Sequence, residues 1–221
     1  YLGEWDDGAM KTGWQKIYVT DNDDDDEEKE FWFNFKSNGK KRTGGDVVGE
    51  ISEKTINGKK YGFDYRGVMT SQWTIVRTYS DVVASNSGAN VKDWKYFSSP
   101  EDGARATKGW FKVVAPEEDN DNVFTTYDEG VTFASGDADD ETERWYYADG
   151  DGELYQGKIK KIKGKYYAFR PENTKKSAAM LTGLVLMRTD GDNVVQVLDD
   201  DVDADDLDKI ISDNLYDDDG T

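Results

Sequence analysis

The sequence predicts an all-β fold of stacked β-hairpin repeats, with long acidic loop insertions and a short C-terminal helix that caps the array. The segment 8–39 reads as one hairpin, because two apolar runs lie between glycine turns. Its pieces recur along the chain, and such repeats indicate one structural unit per copy. Aromatic residues make up 13% of a chain that is only 36% hydrophobic. Aromatic seams between thin hairpins suit this composition better than one large core.

The first unit shows the repeat most completely. Residues 8–14 open it, an alternating run follows through Val19, and an aromatic return strand at 32–35 precedes Gly39. The acidic block 21–30 lies between the two strands, and such a run of like charges is typical of a solvated loop. We therefore expect it at the tip of the hairpin, with a calcium cluster as the alternative.

Five degenerate copies follow the first unit. The predicted units are roughly 8–39, 40–67, 67–103, 104–152, 153–177 and 178–198. Asn57-Gly58 predicts a tight hairpin turn in the second unit, because both positions tolerate a positive φ. The insertion 115–143 in the fourth unit is the longest, and loops of that length are uncommon unless they are functional or disordered.

The segment 199–221 is a strongly acidic tail. Leu207, Ile210, Ile211 and Leu215 have the spacing of one helical face, so we expect a helix over about 204–215. Aspartates in its first turn would complement the helix dipole. A disordered acidic tail is the alternative interpretation.

Charge and composition exclude several functions. The net charge of -19 argues against nucleic acid and against an anionic membrane surface. The chain has no His and no Cys, which excludes a Ser-His-Asp triad, a Cys-His dyad and a His-based zinc site. No run approaches the roughly 20 apolar residues of a membrane helix. Acids and glycines alternate over 149–153, which we interpret as a plain turn, with calcium as the alternative.

The order Gly-x-Met-x-Thr-Gly-Trp, followed by an aromatic return strand, resembles the cell-wall-binding repeats of Gram-positive surface proteins. This family includes choline-binding modules, glucan-binding repeats of glucosyltransferases and repeat regions of clostridial toxins. The matching segments are 8–14 with 32–35, 67–73 with 94–97, and 109–110 with 145–148. The resemblance implies a β-solenoid in an extracellular protein, secreted or at the cell surface. Because Tyr1 and Leu2 look like the end of a return strand, we expect the chain to start inside a longer repeat array. The resemblance also implies that it is part of a larger multidomain protein.

The resemblance also implies a ligand site between neighbouring repeats, against aromatic walls. Expected ligands are a cell-wall polysaccharide, the choline of teichoic acid, or glucan. Aromatic faces attract a quaternary ammonium by cation–π interaction and can pack on a sugar ring. The implied tryptophan pairs are Trp14 with Trp32, Trp73 with Trp94, and Trp110 with Trp145, and the candidates for the third wall are Tyr61, Tyr96, Tyr147 and Tyr166.

Two other functions stay open. Gly45, Lys158 and Leu184 stand where units two, five and six would carry the opening tryptophan, which leaves open that some units are purely architectural. A structural or adhesive stalk is therefore one alternative function. Any single tryptophan can also be plain core. Glycoside hydrolysis would need only two carboxylates. No carboxylate sits in an apolar sequence context that would tune its pKa, so we expect no enzyme.

Overall fold

A computed structural model of the protein describes residues 1–3, 8–20, 28–76, 78, 94–99, 101–114, 142–171 and 178–216. This part of the chain contains twelve strands and one helix. The strands are β1 (Gly13–Thr20), β2 (Glu28–Phe35), β3 (Ser52–Ile56), β4 (Lys59–Phe63), β5 (Gln72–Ile75), β6 (Trp94–Phe97), β7 (Gly109–Val114), β8 (Glu143–Ala148), β9 (Lys158–Ile162), β10 (Lys165–Phe169), β11 (Leu186–Asp190) and β12 (Asn193–Asp199). The helix is α1 (Ala204–Tyr216).

The strands pair in sequence order as six antiparallel hairpins, here numbered 1 to 6. Hairpins 1 to 4 are separate two-stranded sheets. Hairpins 5 and 6 share a four-stranded sheet in the order β10-β9-β12-β11, joined at Asn193 and Lys158. The predicted all-β class of hairpin repeats is confirmed.

A closing turn with the same hydrogen bonds follows each of the first five hairpins. The first amide after the return strand donates to a carbonyl of the turn at 2.8 to 3.0 Å. The donor and acceptor residues are Lys36 and Lys40, Asp64 and Val68, Ser98 and Ala104, Asp149 and Glu153, and Arg170 and Ala179. The repeat is therefore visible in the backbone as well as in the sequence.

Backbone hydrogen bonds also join successive hairpins. The amide of Met69, in the turn after hairpin 2, donates to the Trp32 carbonyl of hairpin 1 at 2.9 Å. Met180 N donates to Trp145 O at 2.8 Å, which joins the turn after hairpin 5 to hairpin 4. Arg105 N donates to Lys60 O at 2.8 Å and joins hairpins 3 and 2 in the same way. We call the region where two successive hairpins contact each other a junction and name it by its two hairpins; at junction 3–4 the contacts involve side chains.

Buried aromatic side chains form clusters rather than one continuous core. One cluster lies at junctions 3–4 and 4–5, and two lie in and beside hairpins 1 and 2. Their buried members are Trp73, Trp94, Tyr146, Ala148, Leu154, Ala178 and Ala179; Phe31, Phe33, Phe35 and Val68; and Ile56, Tyr61, Phe63 and Met69. This matches the expected aromatic seams.

Glycines in the closing turns pack against residues that recur at one repeat position. A Cβ on Gly39 would lie 2.6 Å from Met10 Sδ, and one on Gly103 would lie 2.4 Å from Met69 Sδ. Both glycines also have positive φ, which favours glycine over other residues. The predicted tight turn at Asn57 and Gly58 is present, with φ values of 50° and 80°.

Helix α1 occupies the predicted place. Asp203 begins it as an N-cap, because its Oδ1 accepts the amide of Asp206 at 2.8 Å. Leu207 and Ile211, on its apolar face, are 37% and 46% exposed. Its role as a cap of the array stays a prediction.

One predicted boundary is wrong. Strand β2 begins at Glu28, so the end of the acidic block 21–30 is strand rather than hairpin tip. The pairing of Glu30 with Tyr18 explains this, because a ladder can carry charged side chains on its solvent face. Residues 21–27 and most of the insertion 115–143 lie outside the described residues. Within the described residues, no helix is both long and apolar enough to cross a membrane.

The acid-glycine segment 149–153 is a turn, as interpreted from the sequence. Asp149 Oδ1 accepts the amides of Asp151 and Glu153 at 2.8 and 2.9 Å. The carboxylate thus stabilises the turn itself. No group of three or more metal-ligating side chains occurs among the described residues.

Candidate functional site

Strand register gives the tryptophans two repeat positions. Trp14, Trp73 and Trp110 each occupy the second residue of the first strand of a hairpin. We call them opening tryptophans. The return strands carry three further tryptophans, which we call return tryptophans: Trp32, Trp94 and Trp145. Each lies two residues before the residue that pairs with the opening tryptophan across the hairpin.

Each opening tryptophan contacts one tyrosine of the next hairpin, with nearly constant geometry. The ring centroids are 4.8 Å apart for Trp14 and Tyr61, 4.8 Å for Trp73 and Tyr146, and 4.7 Å for Trp110 and Tyr167. The interplanar angles of 63°, 70° and 63° are edge-to-face. Such pairs contribute about 0.5 to 1.5 kcal/mol beyond their area burial, so they help to hold neighbouring hairpins together.

The third-wall tyrosines are only partly those predicted. Tyr61 lies against Trp14 as expected. Tyr96 and Tyr147 instead contact Trp73 and Trp110 of their own hairpins, at 5.2 and 5.1 Å.

Tyr166 is 69% exposed, and its ring lies 5.2 Å from Lys161 Nζ. Tyr146 and Tyr167, which the sequence prediction missed, make the contacts across the junctions. Adjacent strand residues point to opposite faces, so an error of one position exchanges the two tyrosines of a Tyr-Tyr run. Counting back two residues from Ala148 or Phe169, at the strand end, would have found the correct tyrosine.

Junction 3–4 is closed. Trp73 has no exposed surface, Trp94 is 8% exposed, and Tyr146 is fully covered. The Trp73 indole N–H donates to the carbonyl of Val114 at 2.8 Å. Burial raises the pKa of Tyr96 to about 12 and raises that of Tyr146 further. Trp73 and Trp94 are therefore packed core, and among the described residues they do not form an open ligand wall.

Junction 4–5 is partly open. Trp110 and Trp145 lie edge-to-face, with centroids 6.2 Å apart and planes at 87°, and Tyr167 contacts Trp110 from the next hairpin. Trp145 is 42% exposed, and Trp110 is half-buried. We call Trp110, Trp145 and Tyr167 the aromatic corner. It combines rings at about right angles with one partly exposed indole.

Junction 1–2 has similar rings and an added carboxylate. Trp14 and Trp32 are both half-buried beside Tyr61. The Trp32 indole N–H donates to Glu101 at 3.0 Å, and Lys16 donates to the same carboxylate at 2.9 Å. Hydrogen bonds from Lys16 and then Trp32 hold the pKa of Glu101 below its usual range. Bonds to Glu101 and then Glu30 raise the pKa of Lys16.

Junction 2–3 is charged instead of aromatic. Register places Glu53 at the opening position of hairpin 2, and Lys95 stands in hairpin 3 where hairpin 2 has Tyr61. Glu53 Oε1 lies 2.6 Å from a guanidinium nitrogen of Arg105, whose side chain is 1% exposed. Burial lowers the pKa of Lys95, and Glu153 and Glu53 oppose that shift. This junction has no aromatic corner among the described residues.

The residues that the sequence predicts at the opening position of hairpins 2 and 5 are wrong. Glu53 and Ile159, rather than Gly45 and Lys158, occupy the opening position. In hairpin 2 a loop precedes β3, where Glu50 Oε2 accepts the amides of Asp46 and Val47 at 2.8 and 2.9 Å. Because of that loop, β3 begins later in the chain than the glycines at the start of the unit had predicted.

Comparison with known proteins gave matches only among solved structures; no family model and no curated protein match the sequence. A structure of CbpF in complex with ipratropium has a TM-score of 0.41 and 17% identity, covering 80% of this chain and 57% of that one. The chain thus spans little more than half of that protein's length.

Choline-binding protein F from Streptococcus pneumoniae has a TM-score of 0.29 and 20% identity, covering 88% of this chain and 69% of that one. Alternansucrase in complex with isomaltononaose has a TM-score of 0.28 and 17% identity, covering 77% of this chain and 10% of that one. Choline-binding proteins and alternansucrase are thus among the solved structures that this chain is similar to.

Proposed function

We propose that this chain is a non-catalytic binding module of the cell-wall-binding repeat type, from a secreted or surface protein of a Gram-positive bacterium. Its hairpins stack into a β-solenoid, and its ligand is a cell-wall polysaccharide, choline-bearing teichoic acid or glucan. The backbone bonds that Met69, Arg105 and Met180 donate to preceding hairpins support the stacking. The observation that carries the binding function is the aromatic corner, with its partly exposed Trp145.

The geometry of the corner suits a ligand that presents apolar or cationic surface. A quaternary ammonium has no hydrogen to donate, so aromatic faces stabilise it by about 0.5 to 2 kcal/mol through cation–π attraction. A sugar ring can rest its C–H face on the exposed indole while water satisfies its hydroxyls. The protein's net charge of -19 favours the approach of a cation over that of an anion.

Junction 1–2 is the second candidate site. Glu101 accepts the Trp32 indole N–H at the ring edge. Lys16 pairs with both Glu101 and Glu30, so two carboxylates and one ammonium leave a net negative charge beside the aromatic rings. That combination favours a cationic ligand more than a neutral sugar. Choline should therefore bind more tightly at this junction than at the aromatic corner, and glucan should show the opposite preference.

Titration calorimetry and tryptophan fluorescence with choline chloride and isomalto-oligosaccharides test the proposal. Trp145→Ala should weaken binding at the aromatic corner by at least about tenfold, because it removes the most exposed of its three aromatic walls. Tyr18→Ala is a matched control, since Tyr18 is also an exposed strand aromatic, at 63%, but lies outside the corner. Unchanged binding by Trp145→Ala would contradict the proposed site.

A structural or adhesive stalk is the alternative function. The closed junction 3–4 and the charged junction 2–3 favour it, because both are built for packing rather than for a ligand. If neither choline nor any glycan of a broad panel changes the tryptophan fluorescence, the stalk is the better account.

A further inference from the structure

Hairpin 5 carries a basic surface on an otherwise strongly acidic chain. Residues 158–170 contain five lysines and one arginine, and no acidic residue, although the whole chain has a net charge of -19. Four of the lysines are exposed, at positions 158, 161, 163 and 165. The surface of hairpin 5 is therefore positive, whereas the overall composition predicts a negative surface.

These lysines have no carboxylate partners in the described part of the chain. None of the five forms an ion pair there, whereas Lys16, Lys59, Lys60 and Lys112 all do. Arg170 is different, because it is buried and paired with Asp200. An unpaired lysine cluster in an acidic protein is available for an external anion.

The end of the hairpin concentrates this charge beside an exposed ring. Lys161 and Tyr166 are directly opposite each other in the β9–β10 ladder, with the ammonium 5.2 Å from the ring centroid. Lys163 and Gly164 form the turn with φ values of 48° and 86°, and Lys165 follows. We call Lys161, Lys163, Lys165 and Tyr166 the lysine tip. The opposite end of β9 is near Asp192, whose carbonyl accepts the Ile159 amide at 2.7 Å.

We propose that the lysine tip binds a polymer of phosphodiester units, as a second binding surface distinct from the aromatic corner. Lysine ammonium groups act as point charges and bind phosphate without a fixed geometry, whereas arginine offers a planar, bidentate fork to carboxylates and phosphates alike. All the basic side chains of the tip are lysines, so it can hold phosphates that are spaced along a flexible chain without a fixed orientation. Tyr166 adds a surface for the polyol or sugar between them.

The lysine tip can attract an anion only if salt screens the negative charge of the rest of the chain. At physiological ionic strength the Debye length is about 8 Å, so exposed acids farther away are largely screened from the tip. A nucleic acid duplex carries about one charge per 1.7 Å, and its extended, dense charge would meet the acidic remainder of the protein. A polymer with sparser phosphates can engage the tip alone.

Binding of the intact chain to immobilised poly(glycerol phosphate) at about 0.15 M NaCl tests this, with neutral dextran, polygalacturonate and a double-stranded oligonucleotide as comparison probes. Lys161→Gln, Lys163→Gln and Lys165→Gln combined should weaken binding at least about tenfold, and about 1 M NaCl should abolish it. The matched control combines Lys36→Gln, Lys40→Gln and Lys108→Gln, which remove the same charge from exposed lysines elsewhere and should leave binding unchanged.

Three results would overturn the proposal. The first is no binding to poly(glycerol phosphate), the second is equal loss in both triple variants, and the third is equal or tighter binding to the oligonucleotide or polygalacturonate. Trp145→Ala should leave this interaction intact. Failure of the lysine tip is therefore distinguishable from failure of the aromatic corner, which choline and isomalto-oligosaccharides report.

Discussion

Trp94 and Trp145 occupy the same repeat position, yet the first is 8% exposed and the second 42%. The difference comes from their neighbours. Phe111, Val113 and Val114 of hairpin 4 pack against the cluster that contains Trp94. Trp145 is left with one edge toward solvent. Exposure, rather than residue type, separates a packing tryptophan from a candidate ligand wall.

Truncation of the two side chains should therefore have different effects on stability. Trp94→Ala should lower the free energy of unfolding by about 3 to 5 kcal/mol, because it removes a fully packed indole. Trp145→Ala should lower it by only about 1 kcal/mol, since much of that ring is already in water. Urea unfolding of both variants measures the two values, and equal losses would contradict the assignment of an open and a closed junction.

The ion pair at junction 2–3 gives a second prediction. Glu53→Gln should lower the free energy of unfolding by about 2 to 4 kcal/mol, because it leaves the buried Arg105 guanidinium without its charged partner. Glu143→Gln removes one partner of the exposed Lys112 pair and should cost less than about 1 kcal/mol. Chemical denaturation of the two variants provides the comparison, and a similar small effect at Glu53 would refute a structural role for this pair.

The buried phenol of Tyr96 predicts a loss of stability in alkaline solution. Its pKa is raised to about 12, first by burial and then by the nearby charge of Glu143. An unfolded tyrosine ionises near pH 10, so folding favours the neutral phenol. This contribution is complete below about pH 10 and is lost as the pH rises toward 12. Melting temperatures measured between those values should fall, and less steeply for Tyr96→Phe than for the wild-type chain.

At the scale of whole elements, the sequence predicted where the hairpins lie. It predicted less well which residue occupies each repeat position within a hairpin. Glycine turns with positive φ, such as Asn57-Gly58, mark the hairpin ends in the sequence itself. The side of the strand that a residue faces depends on register, which a one-residue error reverses. For this reason the sequence predicted Tyr166 where the structure has Tyr167. In hairpin 2, loop 44–51 moves the opening position from the expected Gly45 to Glu53.

That loop provides a prediction about one glycine. A Cβ on Gly44 would lie 1.9 Å from the carbonyl oxygen of Phe63, at the end of β4, so the backbone itself would have to move. Gly44→Ala should cost about 2 kcal/mol or more, as overpacking does. Gly150→Ala is the control, because Gly150 has no atom within 4 Å of an added Cβ and no positive φ. Thermal unfolding that affected both variants equally would contradict this contact.

At the scale of the whole molecule, stability is distributed over junctions instead of one core. Each hairpin is too thin to bury its own face, so it depends on its neighbours. The charged junction between aromatic ones could not be predicted from the sequence, because Glu53 lies 52 residues before Arg105 and the two meet only where hairpins 2 and 3 come together.

Net charge gives a prediction for the molecule as a whole. A charge of -19 repels itself in the compact state, and added salt screens that repulsion. Raising NaCl from about 0.01 M to 0.5 M, which shortens the Debye length several-fold, should therefore raise the melting temperature. Calorimetry at both salt concentrations measures the effect, and a lower melting temperature at high salt would mean that specific ion pairs outweigh the overall repulsion.

The two candidate binding junctions, 1–2 with the half-buried Trp32 and 4–5 with the exposed Trp145, come before and after the charged and closed junctions in chain order. A polymer whose binding groups repeat along its length could occupy both at once, and the second contact would then form within the same complex. Two individually weak attachments would combine into slow release, since avidity can exceed single-site affinity by about 10² or more when the spacing fits. A short oligomer that spans only one junction would gain none of this advantage.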